Sequence, residues 1–257
     1  KLENKIIFQS IYLSSILLVC YVSGERMAFA TFSLSLMILF IFLKGFRKSI
    51  FFSIIIGIFF IILSNYLHPF YNDFNIIEST QYHKGQKIEK LFPCDDNTDE
   101  ICSKIINIQP SFIKVIKNFS TSAYGEIYML SFKMFLDNPI TGIGINNFKY
   151  LCNNNDSYKQ MMVNYDCASH PHNIYIQWLA EGGLIVFILF IIYLIFIVRF
   201  IVKNEGNKKF KIISLVVIIT MFWPIMSTGS LIKNWYGITT FIILGICICL
   251  SRFKNNS

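Results

Sequence analysis

From Gly183 to Val198 the chain runs without a single charged residue, and nearly every side chain in that stretch is large and apolar. A helix needs about 20 such residues to cross the hydrocarbon core of a bilayer, whereas a buried helix of a soluble domain alternates apolar and polar faces. Six stretches of the chain read this way: Ile6 to Val22, Met27 to Leu43, Ile50 to Leu67, Ile174 to Ile201, Ile212 to Met226 and Tyr236 to Leu250. The predicted fold is therefore all-α, a polytopic bundle of six transmembrane spans. Spans one to three fill residues 1–67, a large loop with short amphipathic helices fills 68–173, and spans four to six fill 174–257.

Composition agrees with lipid as the main solvent. Hydrophobic residues make up 54% of the chain and charged residues 15%, with a mean hydropathy of +0.53. A net charge of +8 would suit nucleic acid, but the basic residues fall in short clusters between apolar runs, as the positive-inside rule requires, so nucleic-acid binding is not expected. Lys44, Arg47 and Lys48 follow span two. Arg199, Lys203, Lys208, Lys209 and Lys211 lie about the connection from span four to span five, and Arg252 and Lys254 follow span six. Placing these clusters in the cytoplasm puts Ser23–Arg26, the segment from His68 to His172, and Ser227–Trp235 together on the opposite side. The first apolar stretch lacks a small-residue cleavage site, so a removed signal peptide is not expected, and the chain, which lacks an initiator Met, is expected to be a piece of a longer protein.

The segment from His68 to His172 is far longer than an ordinary connection, which argues for a functional or substrate-covering element. Asp95, Asp96, Asp99 and Glu100 read as a solvated acidic turn, because they lack the spacing of a calcium loop. Ile127, Leu130, Met134 and Phe135 recur at helical spacing and predict an amphipathic helix over Tyr124–Leu136, stopped by Asn138-Pro139. Gly142-Ile143-Gly144 reads either as a tight turn or as a backbone cradle for a ligand, although it lacks a third glycine and a preceding strand for a dinucleotide site. Cys94, Cys102, Cys152 and Cys167 form an even set and suit disulfides in an oxidising space. Three pairings are open, of which Cys94 with Cys102 and Cys152 with Cys167 cost least to close. Metal ligation by these cysteines with His170 or His172 is the rival, weakened because no CxxC pair exists.

Polar residues gather at one boundary of span four, in His170-Pro171-His172-Asn173. Asn173, Gln177 and Glu181 follow at four-residue spacing on one helical stripe that begins beside His172. A carboxylate inside a span costs several kcal/mol unless it is paired or faces a polar cavity, so Glu181 is a candidate site residue. Arg26, at the start of span two on the same side, would suit a diphosphate through its planar fork, and Lys149 and Lys233 are further phosphate candidates. The rival reading of each is a solvated or snorkelling surface residue.

The blocks SGERMAF at Ser23–Phe29, FLDNPITGIGINNF at Phe135–Phe148, HPHNIYIQWLAEGGL at His170–Leu184 and WPIMSTGSLIKNW from Trp223 together resemble the C-terminal part of the O-antigen ligase and polymerase family. The third block is the most specific, with His172 followed eleven positions later by Gly183. The resemblance implies a multi-pass protein of the bacterial inner membrane, with about twice the six spans counted here. It implies a periplasmic active face that transfers a glycan from undecaprenyl diphosphate to a hydroxyl of lipid A core or another glycan, without metal or cofactor. By correspondence Arg26 would bind the lipid diphosphate and His172 would orient or deprotonate the acceptor; His170, Asn173, Glu181, Tyr124, Lys149 and Lys233 are the further candidate substrate contacts. Many members carry a second loop arginine where this chain has Tyr124, so either Lys133, Lys149 or Lys233 assists Arg26 or the donor differs. Polymerisation and transfer onto protein are the alternatives within this chemistry. A lipid-linked glycan transporter is the alternative outside it, disfavoured because the halves show no repeat and the polar residues sit at one interface.

Overall fold

The computed structural model describes residues 2–23, 25–67, 81–83, 86–88 and 119–254. The chain divides into two compact units, one of residues 1–36 and 44–117 and the other of residues 37–43 and 118–257. In chain order the helices are α1 (Leu2–Val22), α2 (Arg26–Phe42), α3 (Arg47–Leu67), α4 (Ala123–Asp137), α5 (Phe148–Asn154), α6 (Asp156–Lys159), α7 (Ile174–Lys203), α8 (Lys208–Met221) and α9 (Asn234–Arg252). A 3-10 turn, Lys44–Phe46, joins α2 to α3. Among the described residues the strands are a single antiparallel hairpin of Gln81–His83 with Gln86–Ile88. The protein is thus helical and multi-pass. Among the described residues Asn4–Val22, Lys44–Ser64, Ile174–Lys203 and Asn234–Arg252 are long and apolar enough to cross a membrane, and Met27–Phe42 is a shorter apolar helix.

The first unit shows which solvent its helices face. Ser10 and Ser14 of α1 and Ser49 and Ser53 of α3 are buried, while Phe8 is 71% and Ile62 63% exposed. That is the reverse of a water-soluble core, and it follows when lipid solvates the apolar side chains and small residues let the backbones approach. Ser10 Oγ donates to Ser49 O (3.1 Å) and Ser49 Oγ to Gln9 Oε1 (3.0 Å), and a Cβ on Gly57 would collide with Leu17.

In the second unit α7, α8 and α9 share one apolar core around Phe190, Ile197, Ile218, Phe222 and Leu244. A second core is built from α4, α5, α6 and the start of α7, and includes Leu130, Met134, Phe148, Cys152 and Ala180. Ser122 caps α4 by accepting from Gly125 N (3.1 Å), and Asn138 ends it one residue past the expected Leu136 helix terminus at Asp137. Cys152 is bonded to Cys167, with the Cα atoms 5.9 Å apart, which ties α5 to the strand of chain leading to His170. Cys94 and Cys102 lie outside the described residues, as do Asp95, Asp96, Asp99 and Glu100.

Two expectations are corrected. The fifth apolar stretch forms a helix from Lys208 rather than Ile212, because Asn207 caps it by accepting from Lys209 N (2.8 Å); it ends at Met221 rather than Met226, ahead of Pro224. The fourth is not one continuous helix: Gly183 adopts φ 64° and ψ −167° and breaks it. The loop after α4 fills the break with its own backbone. Ile143 N donates to Ala180 O and Gly144 N to Glu181 O (both 3.0 Å), while Leu184 N donates to Pro139 O (2.9 Å). The GxG segment is therefore a backbone graft onto a broken helix. Gly142, at φ 69°, and Gly183 pass so close that a Cβ on either would collide with the other segment's main chain. Beyond the break, Leu184–Lys203 still has the length of about 20 residues that a span requires, which leaves Ile174–Gly182 as a distinct, polar-lined first part.

Candidate functional site

The site grows from the four residues that enter α7. Asn173 caps the helix, its Oδ1 accepting from Tyr175 N (3.0 Å) and Ile176 N (3.1 Å), and its Nδ2 donates to Pro224 O (2.7 Å) and Met226 O (3.2 Å). One buried amide thus fixes both the start of α7 and the path of the loop between α8 and α9. The same loop is held again by Thr228, whose N donates to His172 O (2.7 Å). A third tie runs from Gln177 Nε2 to Ser230 Oγ (2.8 Å).

His172 sits between these ties in a left-handed backbone conformation, φ 56°. A non-glycine residue there stores strain of order 1–3 kcal/mol that the surrounding structure must hold, and such strain clusters at functional sites. Its ring lies 4.2 Å from that of His170 and meets the Tyr124 ring edge-on at 5.9 Å. Tyr124 is held in turn by Ser227, whose Oγ donates to the Tyr124 hydroxyl (3.2 Å).

The two imidazoles differ in what they touch. His170 is buried; its Nε2 faces Thr228 O (3.3 Å) and its Nδ1 faces Ser169 Oγ (2.9 Å). A carbonyl only accepts, so Nε2 carries the proton and Nδ1 accepts from the Ser169 hydroxyl, which is a neutral ring with both nitrogens used. Burial, then the neighbouring His172, and then Lys233 push the His170 imidazole down to about 4, against the raising effect of the bond to Thr228. His172 is half-buried, and among the described residues neither of its ring nitrogens has a hydrogen-bond partner. Burial and then the Lys233 charge hold it below the usual histidine range as well, so it is a neutral base with open nitrogens.

A family model described as O-antigen ligase matches residues 11–191. The chain belongs to the O-antigen ligase family. No curated protein matches it. Membership gives a membrane glycosyltransferase-type function in polysaccharide biosynthesis, acting on lipid-linked glycan.

In this ligase-family chain the residues singled out by sequence fall into three groups. His170, His172 and Tyr124 are brought together, and the Lys233 charge acts on both imidazoles. Asn173 and Glu181 stand behind them as framework: Glu181 is 1% exposed, accepts from Gln177 Nε2 (3.0 Å) and, more loosely, from Phe148 N (3.4 Å). Lys133 and Lys149 stand apart, Lys133 paired with Asp137 one turn along α4 and Lys149 exposed on α5. Arg26 is the first residue of α2. Sequence reasoning gave no role to Ser227, Thr228 or Ser230; their run of small hydroxyl residues in a turn between two spans was the available signal. Tyr128, one turn after Tyr124, sets its ring beside that of Tyr124 with the centroids 6.3 Å apart and was also missed.

Proposed function

We propose that the chain transfers a glycan from undecaprenyl diphosphate to an acceptor hydroxyl, with His172 as the base. The observation that carries this is the contrast between the two histidines: His170 spends both nitrogens on the protein, while His172 is neutral, strained and open. A neutral imidazole accepts the proton of the acceptor hydroxyl as its oxygen attacks the anomeric carbon. The bond from that carbon to the diphosphate oxygen breaks, and undecaprenyl diphosphate leaves with the electron pair. The protein then needs positive charge on the departing diphosphate. Lys233, whose charge acts on both imidazoles, can supply it, and Arg26 enters only through the family correspondence. Asn173 and Glu181 act as positioning residues rather than substrate contacts.

Lys233 also heads an open cleft of about 410 Å³ that continues along α9 past Leu231, Ile232, Ile238, Phe241 and Ile242. A charged mouth over an apolar trough suits a diphosphate joined to a prenyl chain. We place the histidine end of α7 on the periplasmic side of the inner membrane. The bond between Cys152 and Cys167 suits an oxidising compartment, and the basic clusters at the other helix ends suit the cytoplasm.

The test is complementation of surface glycan in a deletion strain, with the full-length protein. His172→Ala is expected to abolish glycan while protein abundance in the membrane stays unchanged. His172→Asn, which accepts the left-handed backbone without supplying a basic nitrogen, is expected to be equally inactive. Full glycan from either variant would remove His172 from the chemistry.

A further inference from the structure

At the end of α7 remote from the histidines, Arg199, Lys203 and Arg252 line a cleft of about 390 Å³ with Phe196, Phe200 and Asn204. We propose that this cleft is a second ligand site, one that binds the phosphate of an anionic ligand and is separate from the transfer chemistry.

Three features point to a built site rather than a scatter of basic residues. First, its walls are fixed: Asn204 Nδ2 donates to Ser251 Oγ (2.6 Å) and Asn207 N to Phe253 O (3.0 Å), which stitches the connection from α7 to α8 onto the end of α9. Second, its positive charge is uncommitted. Among the described residues Arg199 and Lys203 have no hydrogen bond or ion pair, and the Arg252 guanidinium rests on the Phe200 ring, 4.7 Å from its centroid. That contact engages none of the guanidinium N–H donors in a hydrogen bond, and a guanidinium fork can take a phosphate through two bonds.

Third, the groups that would otherwise neutralise the cleft are already engaged. Helix ends expose carbonyl oxygens that repel anions, but Lys211 Nζ donates to Val202 O and Asn204 O (both 3.0 Å) and so offsets two of the carbonyls at this end. Glu205, the acid next in sequence, is paired with Lys254 at 2.8 Å. Orienting the chain in a membrane needs only basic residues on one side. It does not need three of them to converge on one aromatic-lined cleft while Lys208 and Lys209 stay outside it. A glycerophospholipid headgroup and a free phosphate share the recognised chemistry. Phe196, which is 66% exposed, offers apolar surface for the first carbons of a lipid.

The experiment is a thermal-shift titration of the purified full-length protein in detergent with phosphatidylglycerol, phosphatidylcholine or inorganic phosphate. Phosphatidylglycerol is expected to raise the melting temperature in a saturable, salt-sensitive way, and phosphatidylcholine is not. Arg199→Gln and Arg252→Gln are each expected to weaken the apparent affinity roughly tenfold, whereas His172→Ala leaves it unchanged. Competition by inorganic phosphate would identify a free anion as sufficient, and its failure would assign the lipid headgroup. Equal shifts from both lipids, or none from any ligand, overturn the proposal with the wild-type protein alone. So does an unchanged affinity in Arg199→Gln/Arg252→Gln.

Discussion

His170 and His172 lie two residues apart with rings 4.2 Å from each other, a distance at which two protonated rings would repel. Folding lowers the proton affinity of both, His170 to about 4. Between pH 6.5 and 4 the unfolded chain therefore binds a proton at His170 that the folded chain refuses. Stability contributed by the neutral site is full above about pH 6.5 and declines as the pH falls toward 4. Thermal unfolding followed across this range is expected to show the decline, and His170→Asn should flatten it; a midpoint independent of pH would contradict the buried neutral pair. At this scale the sequence made His172 visible, because a histidine fixed at the entry of an apolar run is unusual. It also favoured His172 over His170, through the polar stripe that begins beside it, but not through what each ring touches. That distinction comes from Thr228 O, which belongs to a loop far along the chain and reaches His170 only in the fold.

Elements differ in how much of them was legible. Helix α4 was expected over Tyr124–Leu136 and spans Ala123–Asp137, since Ser122, the apolar spacing and Asn138-Pro139 all act locally. The break in α7 was illegible, because two glycines within an apolar run still read as helix until a second segment offers its backbone to the freed groups. Gly183→Ala tests that graft. The added Cβ would meet the main chain at Ile140 in a backbone region that alanine disfavours, so a loss of at least about 2 kcal/mol is expected in the thermal stability of the purified protein. A neutral outcome would mean that α7 runs straight. The link between Cys152 and Cys167 closes a short loop directly before the histidines, and Cys152→Ala/Cys167→Ala is expected to cost about 3 kcal/mol by the same measurement. A reducing agent should then destabilise the wild type but not the double variant.

For the whole molecule, burial of serines beneath exposed phenylalanines and isoleucines is the signature of helices solvated by lipid, and the apolar stretches made this plain from sequence. The rough positions of the apolar helices followed from hydropathy, whereas helix ends followed from caps such as Asn207 that hydropathy does not see. The chemistry was legible only through motif blocks scattered along the chain, whose purpose emerges when the segments around Asn138–Gly144, His170–Asn173 and Ser227–Lys233 meet at α7. The central claim is that this assembly is a glycan transferase. It is tested most directly by incubating the purified full-length protein in detergent micelles with a lipid-linked glycan donor and acceptor, and following the released undecaprenyl diphosphate. No compartments exist in a micelle, so transport alone yields no product. Release that requires the acceptor and is lost in His172→Ala is expected; release unaffected by that substitution, or none from the wild-type protein, would contradict a transferase that uses His172 as its base.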